Sequence, residues 1–182
     1  PMLTLEALRE AGRRLDIFVD ETRIAVPHTN RPLFAMLEGC VHPVRAPNGG
    51  AFHPKLWAVR FTSEDDEPLL RIAIVTRNLT YDRSWDAALV TEAKATWRPP
   101  LEPSQALGAL IRALPDLAVH GLDDEAAAQL EVMASQAERT AFPAPDRFKN
   151  PVYFEALGLE VAVADPRYPW AIGQALLAIA TS

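Results

Sequence analysis

The sequence predicts an α/β domain, a mixed β-sheet flanked by helices. Three observations point there. Residues 56–61, 70–75 and 87–93 are short runs rich in β-branched and aromatic residues. Residues 104–114 and 123–139 carry apolar side chains at helical spacing, such as Leu107, Leu110, Ile111 and Leu114, or Leu130 and Met133. The 182 residues are enough for one domain with a sizeable buried core.

From the N-terminus, residues 4–14 read as a short helix with Leu5, Leu8 and Leu15 near helical spacing and Thr4 as cap. Residues 15–19 and 23–26 have strand character, and Pro27 ends the second run. Residues 31–38 allow one or two helical turns, and 41–46 a strand that ends in the turn Pro47-Asn48-Gly49-Gly50. The polar stretch 62–68 joins the strands 56–61 and 70–75 as a hairpin loop. Pro99, Pro100 and Pro103 break the β pattern. Ser104 is expected to cap the first long helix, and Asp123 to open the second. Residues 140–151 hold Pro143, Pro145 and Pro151 and read as a linker or surface loop. Beyond them lie two apolar segments, of which 171–180 is a helix or a buried strand by pattern.

Composition narrows the function. Eighteen Lys and Arg against 24 Asp and Glu give a net charge of −6, which opposes broad, non-specific adhesion to nucleic acid. A local cationic pocket for a phosphodiester remains compatible with it. No apolar run reaches the roughly 18 residues that span a bilayer, so no membrane partner is expected. Cys40 is the single cysteine and reads as a small buried hydrophobe. Without an intrachain disulfide the chain fits a reducing, cytoplasmic setting. The spacings of His28, Glu38, Cys40 and His42 match no zinc pattern. Asn48-Gly49-Gly50 is not a phosphate loop. No metal and no cofactor are expected.

The chemistry-bearing pattern is His53-Pro54-Lys55, placed before the strand 56–61, and Thr76-Arg77-Asn78-Leu79-Thr80, placed after the strand 70–75. Side chains at i and i+2 of an extended segment project from one face, so an imidazole and an ammonium share a pocket. If the two strands pair, the end of one meets the start of the other, and Asn78 adds a neutral amide donor. Taken singly, each residue has an ordinary reading: His53 as a hydrogen-bonded loop histidine, Lys55 as a surface lysine, Asn78 as an Asx-turn residue. Trp57 reads as core. Asp82, Arg83 and Trp85 read either as loop packing or as the rim of the site.

Together these residues resemble the phospholipase D superfamily, whose motif pairs His-x-Lys with a downstream Asn after a strand pair. The likeness covers about residues 50–90. The usual form has an Asp five residues after the Lys, where this chain has Arg60; the tyrosyl-DNA phosphodiesterase branch also lacks it. The resemblance implies a half-domain spanning residues 1–182. Its motif region is 50–93 and its helical region 103–139, and 140–182 leads toward a second half. It also implies phosphoryl transfer without metal. His53 would attack phosphorus to form a phosphohistidine, and Lys55 and Asn78 would bind the non-bridging oxygens. Asp86 would orient the His53 ring.

Such sites use two motifs, and neither His28, His42 nor His120 has a Lys at i+2. The expected partner is therefore a second half, either in a longer protein of which this chain is the N-terminal half, or in a homodimer. The expected substrate is a phosphodiester of DNA or RNA. The alternative is a catalytically degenerate scaffold or dimerisation domain of a larger protein.

Overall fold

The computed structural model describes residues 6–7, 9–10, 12–24, 38–77, 83–96, 99–149 and 151–156. The chain is α/β, with parallel and antiparallel pairing divided between two sheets. Strands β1 (Ile17–Asp20) and β2 (Val41–Val44) run parallel in the register Ile17↔Val41 to Asp20↔Val44. Strands β3 (Leu56–Phe61), β4 (Leu69–Val75) and β5 (Ala88–Lys94) form an antiparallel sheet in that order, with β4 central. Two helices follow, α1 (Glu102–Leu117) and α2 (Asp124–Ala137).

The alternation along β4 explains the layering. Leu70 and Ile72 are each about 1% exposed and face the helices, where they meet Leu107, Ile111, Leu130, Ala134 and Ala137. Their cross-strand partners Ala58, Thr91 and Ala93 share that face. The opposite face holds Trp57, Val59, Phe61 and Val90, between 38% and 53% exposed. Trp57 is therefore not core: odd positions of β3 point away from the helices. The parallel pair docks on the end of α1, through Arg45 N–H to Leu117 O (3.0 Å), Val119 N–H to Pro43 O (2.8 Å) and a bridge between Val44 and Ala118.

Several expectations change. Residues 23 and 24 lie outside any strand, and 25–26 are outside the described residues, as are 31–37 and 157–182. Ser104 does not cap α1. It sits inside the first turn after Leu101, fully buried, and its hydroxyl donates to Thr140 O at 2.6 Å. Asp123 does cap α2, accepting from Ala126 N–H at 2.8 Å. The stretch 140–151 is not simply a surface loop. Phe142 is fully buried and meets Phe154 edge to face at 5.4 Å, because its ring completes the core between β4 and the helices. The prolines nearby are tolerated because they need no donor partner. Cys40 is buried, as expected of a small hydrophobe. His42, on β2, bonds Asp16 at 2.8 Å under the Phe18 ring.

Two substitutions test this packing. Gly108 lies where α1 meets α2, and a Cβ there would stand 2.8 Å from Glu138 Cβ and 2.9 Å from Ala134 O. Gly108→Ala should lower stability despite its helix-propensity gain of about 1 kcal/mol, since overpacking against backbone costs about 1–3 kcal/mol. Phe142→Ala should cost about 3–5 kcal/mol. Urea denaturation measures both. A Gly108→Ala chain more stable than the parent would mean that the helices do not pack this closely.

Candidate functional site

The antiparallel ladder continues past the ends of its strands and gathers three segments. Val75 N–H donates to Lys55 O at 3.0 Å, and Thr76 N–H to Ala87 O at 3.0 Å. The end of β4 is thus tied to the start of β3 on one side and of β5 on the other. Lys55, Thr76, Arg77, Asp86 and Ala87 lie at this one end of the sheet, and the chain runs from Arg77 directly to Asn78. Asn78 itself is outside the described residues.

His53 and Lys55 do come together. Lys55 Nζ lies 2.8 Å from His53 Nδ1 and 3.2 Å from Nε2. An ammonium can only donate and an unprotonated imidazole nitrogen can accept. The ammonium thus stands where a ring nitrogen can accept from it. His53 is exposed and Lys55 half-buried. Strand alternation puts Lys55 on the outer face with Trp57 and Val59, away from the core.

Most described cations near the sheets and helices are matched to carboxylates. Arg45 grips Glu21 with two bonds (2.6 and 2.9 Å), Arg71 meets Glu92 (2.7 Å), Lys94 meets Asp66 (2.5 Å) and Arg112 meets Glu131 (3.0 Å). Lys55 instead faces an imidazole. Its charge is thus not neutralised by that contact, and an entering anion can claim the ammonium and leave the ring lone pair beside it.

Asp86 immediately precedes Ala87, at the β5 side of this end of the sheet, whereas His53 lies before β3 on the other side of β4. The Asp86 carboxylate accepts from Thr76 N–H at 3.0 Å and from Thr76 Oγ1 at 2.5 Å, and Ala87 N–H donates to the same Oγ1 at 3.1 Å. The Thr76 hydroxyl bond, then the backbone bonds and the charge of Arg77, hold the Asp86 carboxyl below its ordinary pKa. Among the described contacts Asp86 thus fixes the turn leading to Asn78, and none joins it to His53. Arg60, where the usual motif carries Asp, is at the far end of β3 and donates to Gln136 of α2 at 2.8 Å. Trp85 is 98% exposed, so it does not pack the loop. Asp82 is outside the described residues.

Sequence reasoning missed Asp20. At the end of β1, it accepts from Thr22 N–H (2.9 Å) and from Phe52 N–H (2.9 Å), the residue before His53. An Asp two residues before a Thr at a strand end signals the local turn. The bond across 32 residues has no sequence signature. Beside it, an open cleft of about 220 Å³ lies between Asp20–Thr22 and the stretch from Arg45 to Gly50. Among the described residues no cluster of three or more His, Cys, Asp and Glu could hold a metal ion, and no helix is long and apolar enough to cross a membrane.

The lowered Asp86 pKa fixes a pH dependence. The Asp86–Thr76 bonds should be intact above the ordinary carboxylate pKa of about 3.9 and disappear as pH falls through the lower folded-state value. The Thr76 amide proton, followed by NMR, should hold its position across the ordinary carboxylate range and shift only below it. A shift centred at or above the ordinary value would contradict the hydrogen-bonded carboxylate.

Comparison of the chain with protein-family models, with curated proteins and with solved structures gives no match.

Proposed function

We propose that this chain is a metal-independent phosphodiesterase half-domain of the phospholipase D type, acting on nucleic acid phosphodiesters when a second half completes the site. The observation that carries the reading is the contact of Lys55 Nζ with the His53 ring, 2.8 Å from Nδ1. An imidazole nitrogen and a cation whose partner in that contact is not a carboxylate, at the end of the sheet that leads to Asn78, support it. In this reading a ring nitrogen of His53 attacks phosphorus. A P–N bond forms, the P–O bond to the leaving group breaks, and the leaving oxygen keeps the electron pair. Lys55 and Asn78 hold the non-bridging oxygens, whose charge grows in the transition state. The second half, in cis or in a homodimer, protonates the leaving oxygen and then activates the water that cleaves P–N. Asp86 acts on the Thr76 turn that leads to Asn78.

One feature favours a second reading, a catalytically degenerate scaffold or dimerisation domain. The outer face of the sheet exposes Trp57, Val59, Phe61 and Val90 together, and contiguous apolar surface of this kind marks interaction sites.

Bis(p-nitrophenyl) phosphate separates the two, because nitrophenolate leaves without protonation. The chain alone should release about one equivalent of nitrophenolate and then slow, since the missing general acid–base partner is worth about 10²–10⁴-fold. Mass spectrometry after quenching in denaturant at neutral to alkaline pH, where the P–N bond survives, should find the nitrophenyl phosphoryl group on His53, and EDTA should change nothing. His53→Ala should abolish the adduct. Lys55→Ala should slow its formation by roughly 10²–10³-fold. An unmodified His53, together with concentration-dependent dimerisation in sedimentation, would favour the scaffold.

A further inference from the structure

His53 stands on a segment that has no ladder of its own. Residues 50–55 have no regular secondary structure between the Pro47–Gly49 turn and the first residue of β3. Gly49, at φ +70°, turns the chain sharply just before it. A nucleophile on such a segment needs fixing at both ends, because displacement by about 1 Å can cost 10²-fold in rate. One end is fixed by Val75 N–H on Lys55 O, three residues before Asn78 in sequence on the β4 side. The other end is fixed from the parallel sheet.

Asp20 closes β1 and lies on the same strand face as Phe18, which packs against the core. Its register partner Val44 is fully buried. The carboxylate is divided between two tasks. Oδ1 accepts from Thr22 N–H at 2.9 Å and from Thr22 Oγ1 at 2.5 Å, which sets its orientation. Oδ2 is thereby aimed at Phe52 N–H, 2.9 Å away. All three bonds favour the charged form; the Thr22 hydroxyl contributes most and Phe52 next, and the pKa of Asp20 is lowered accordingly. The neighbouring Glu21 takes no part, since its carboxylate is held by Arg45.

We infer that Asp20 is a positioning residue for His53: by anchoring Phe52 it clamps the nucleophile's main chain between the parallel sheet and the antiparallel sheet. The inference rests on the phosphodiesterase reading for its consequence, whereas the clamp itself rests on the main-chain bonds of Phe52 and Lys55. Asp20 does not touch the reacting atoms. Its loss leaves the imidazole chemistry intact and removes the geometry that presents it to phosphorus beside Lys55.

The test uses the full chain with Asp20→Ala and Asp20→Asn, and with Glu21→Gln as a control in the same turn. NMR follows the Phe52 amide and the His53 ring nitrogens, and the bis(p-nitrophenyl) phosphate reaction follows adduct formation. In both Asp20 variants the Phe52 amide should exchange faster and the His53 ring signals should move. The adduct should form roughly 10²-fold more slowly while the substrate concentration for half-maximal rate stays close to that of the parent. Glu21→Gln should match the parent in all of these. A merely structural role would lower the melting temperature but leave the signals and rate of the folded protein unchanged. If Asp20→Ala fails to fold, Asp20→Asn is read. If both fail, acid titration of the unmodified chain decides, and the Phe52 amide and His53 ring must shift with the Asp20 carboxyl carbon. His53 ring signals identical to the parent's in a folded Asp20 variant, or unmoved through the Asp20 titration, would overturn the inference. A parent chain that forms no adduct would sink the phosphodiesterase reading instead, and leave the clamp to be decided by the NMR signals.

Discussion

The meeting of Lys55, Thr76 and Asp86 at one end of the antiparallel sheet depends on the pairing of β4 with both of its neighbours. One face of β4 supplies Leu70 and Ile72 to the core, so the strand cannot slip without exposing them. A slip of one residue would turn those side chains to solvent and bring Arg71 inward. The same constraint fixes the strand's end. The main-chain bonds from Val75 to Lys55 and from Thr76 to Ala87 are the last rungs of a register that core burial sets farther along. Packing at one end of the sheet thereby determines which polar residues meet at the other.

Electrostatics distinguishes Lys55 from several other cations of the sheets and helices. The chain is acidic overall, and carboxylates take up Arg45, Arg71, Lys94 and Arg112. These exposed pairs add little to stability, about 0–1 kcal/mol each, but they use up charge that would otherwise attract anions without selectivity. Lys55 instead meets the His53 ring, and in the proposed reading a phosphate oxygen would take the place of that contact.

Much of the antiparallel sheet was legible. The runs at 56–61, 70–75 and 87–93 each fall within a residue of β3, β4 and β5, because alternating apolar residues and a polar hairpin loop leave few alternatives. The convergence of His53 with Lys55 was legible for the same reason, as spacing of two on an extended segment dictates a shared side. What failed was non-local. Ser104 looked like a cap because its partner, the carbonyl of Thr140, lies 36 residues away. Phe142 looked like linker because its prolines resemble a loop, whereas its ring is buried against Phe154. Trp57 looked like core because its bulk is apolar, although its parity put it on the other face. The bonds from Thr76 to the Asp86 carboxylate were likewise not foreseen.

The central proposal is that the segment entering β3, tied to the end of β4, presents Lys55 as an anion-binding cation beside the His53 ring. Crystals of the chain soaked in tungstate, a phosphate mimic visible by its anomalous scattering, test it most directly. The account predicts a tungsten peak with an oxygen within hydrogen-bond distance of Lys55 Nζ, a His53 ring nitrogen turned toward the metal-oxygen centre, and the direct Lys55–His53 contact opened. A peak confined to other basic residues, with Lys55 still against the ring, would contradict it.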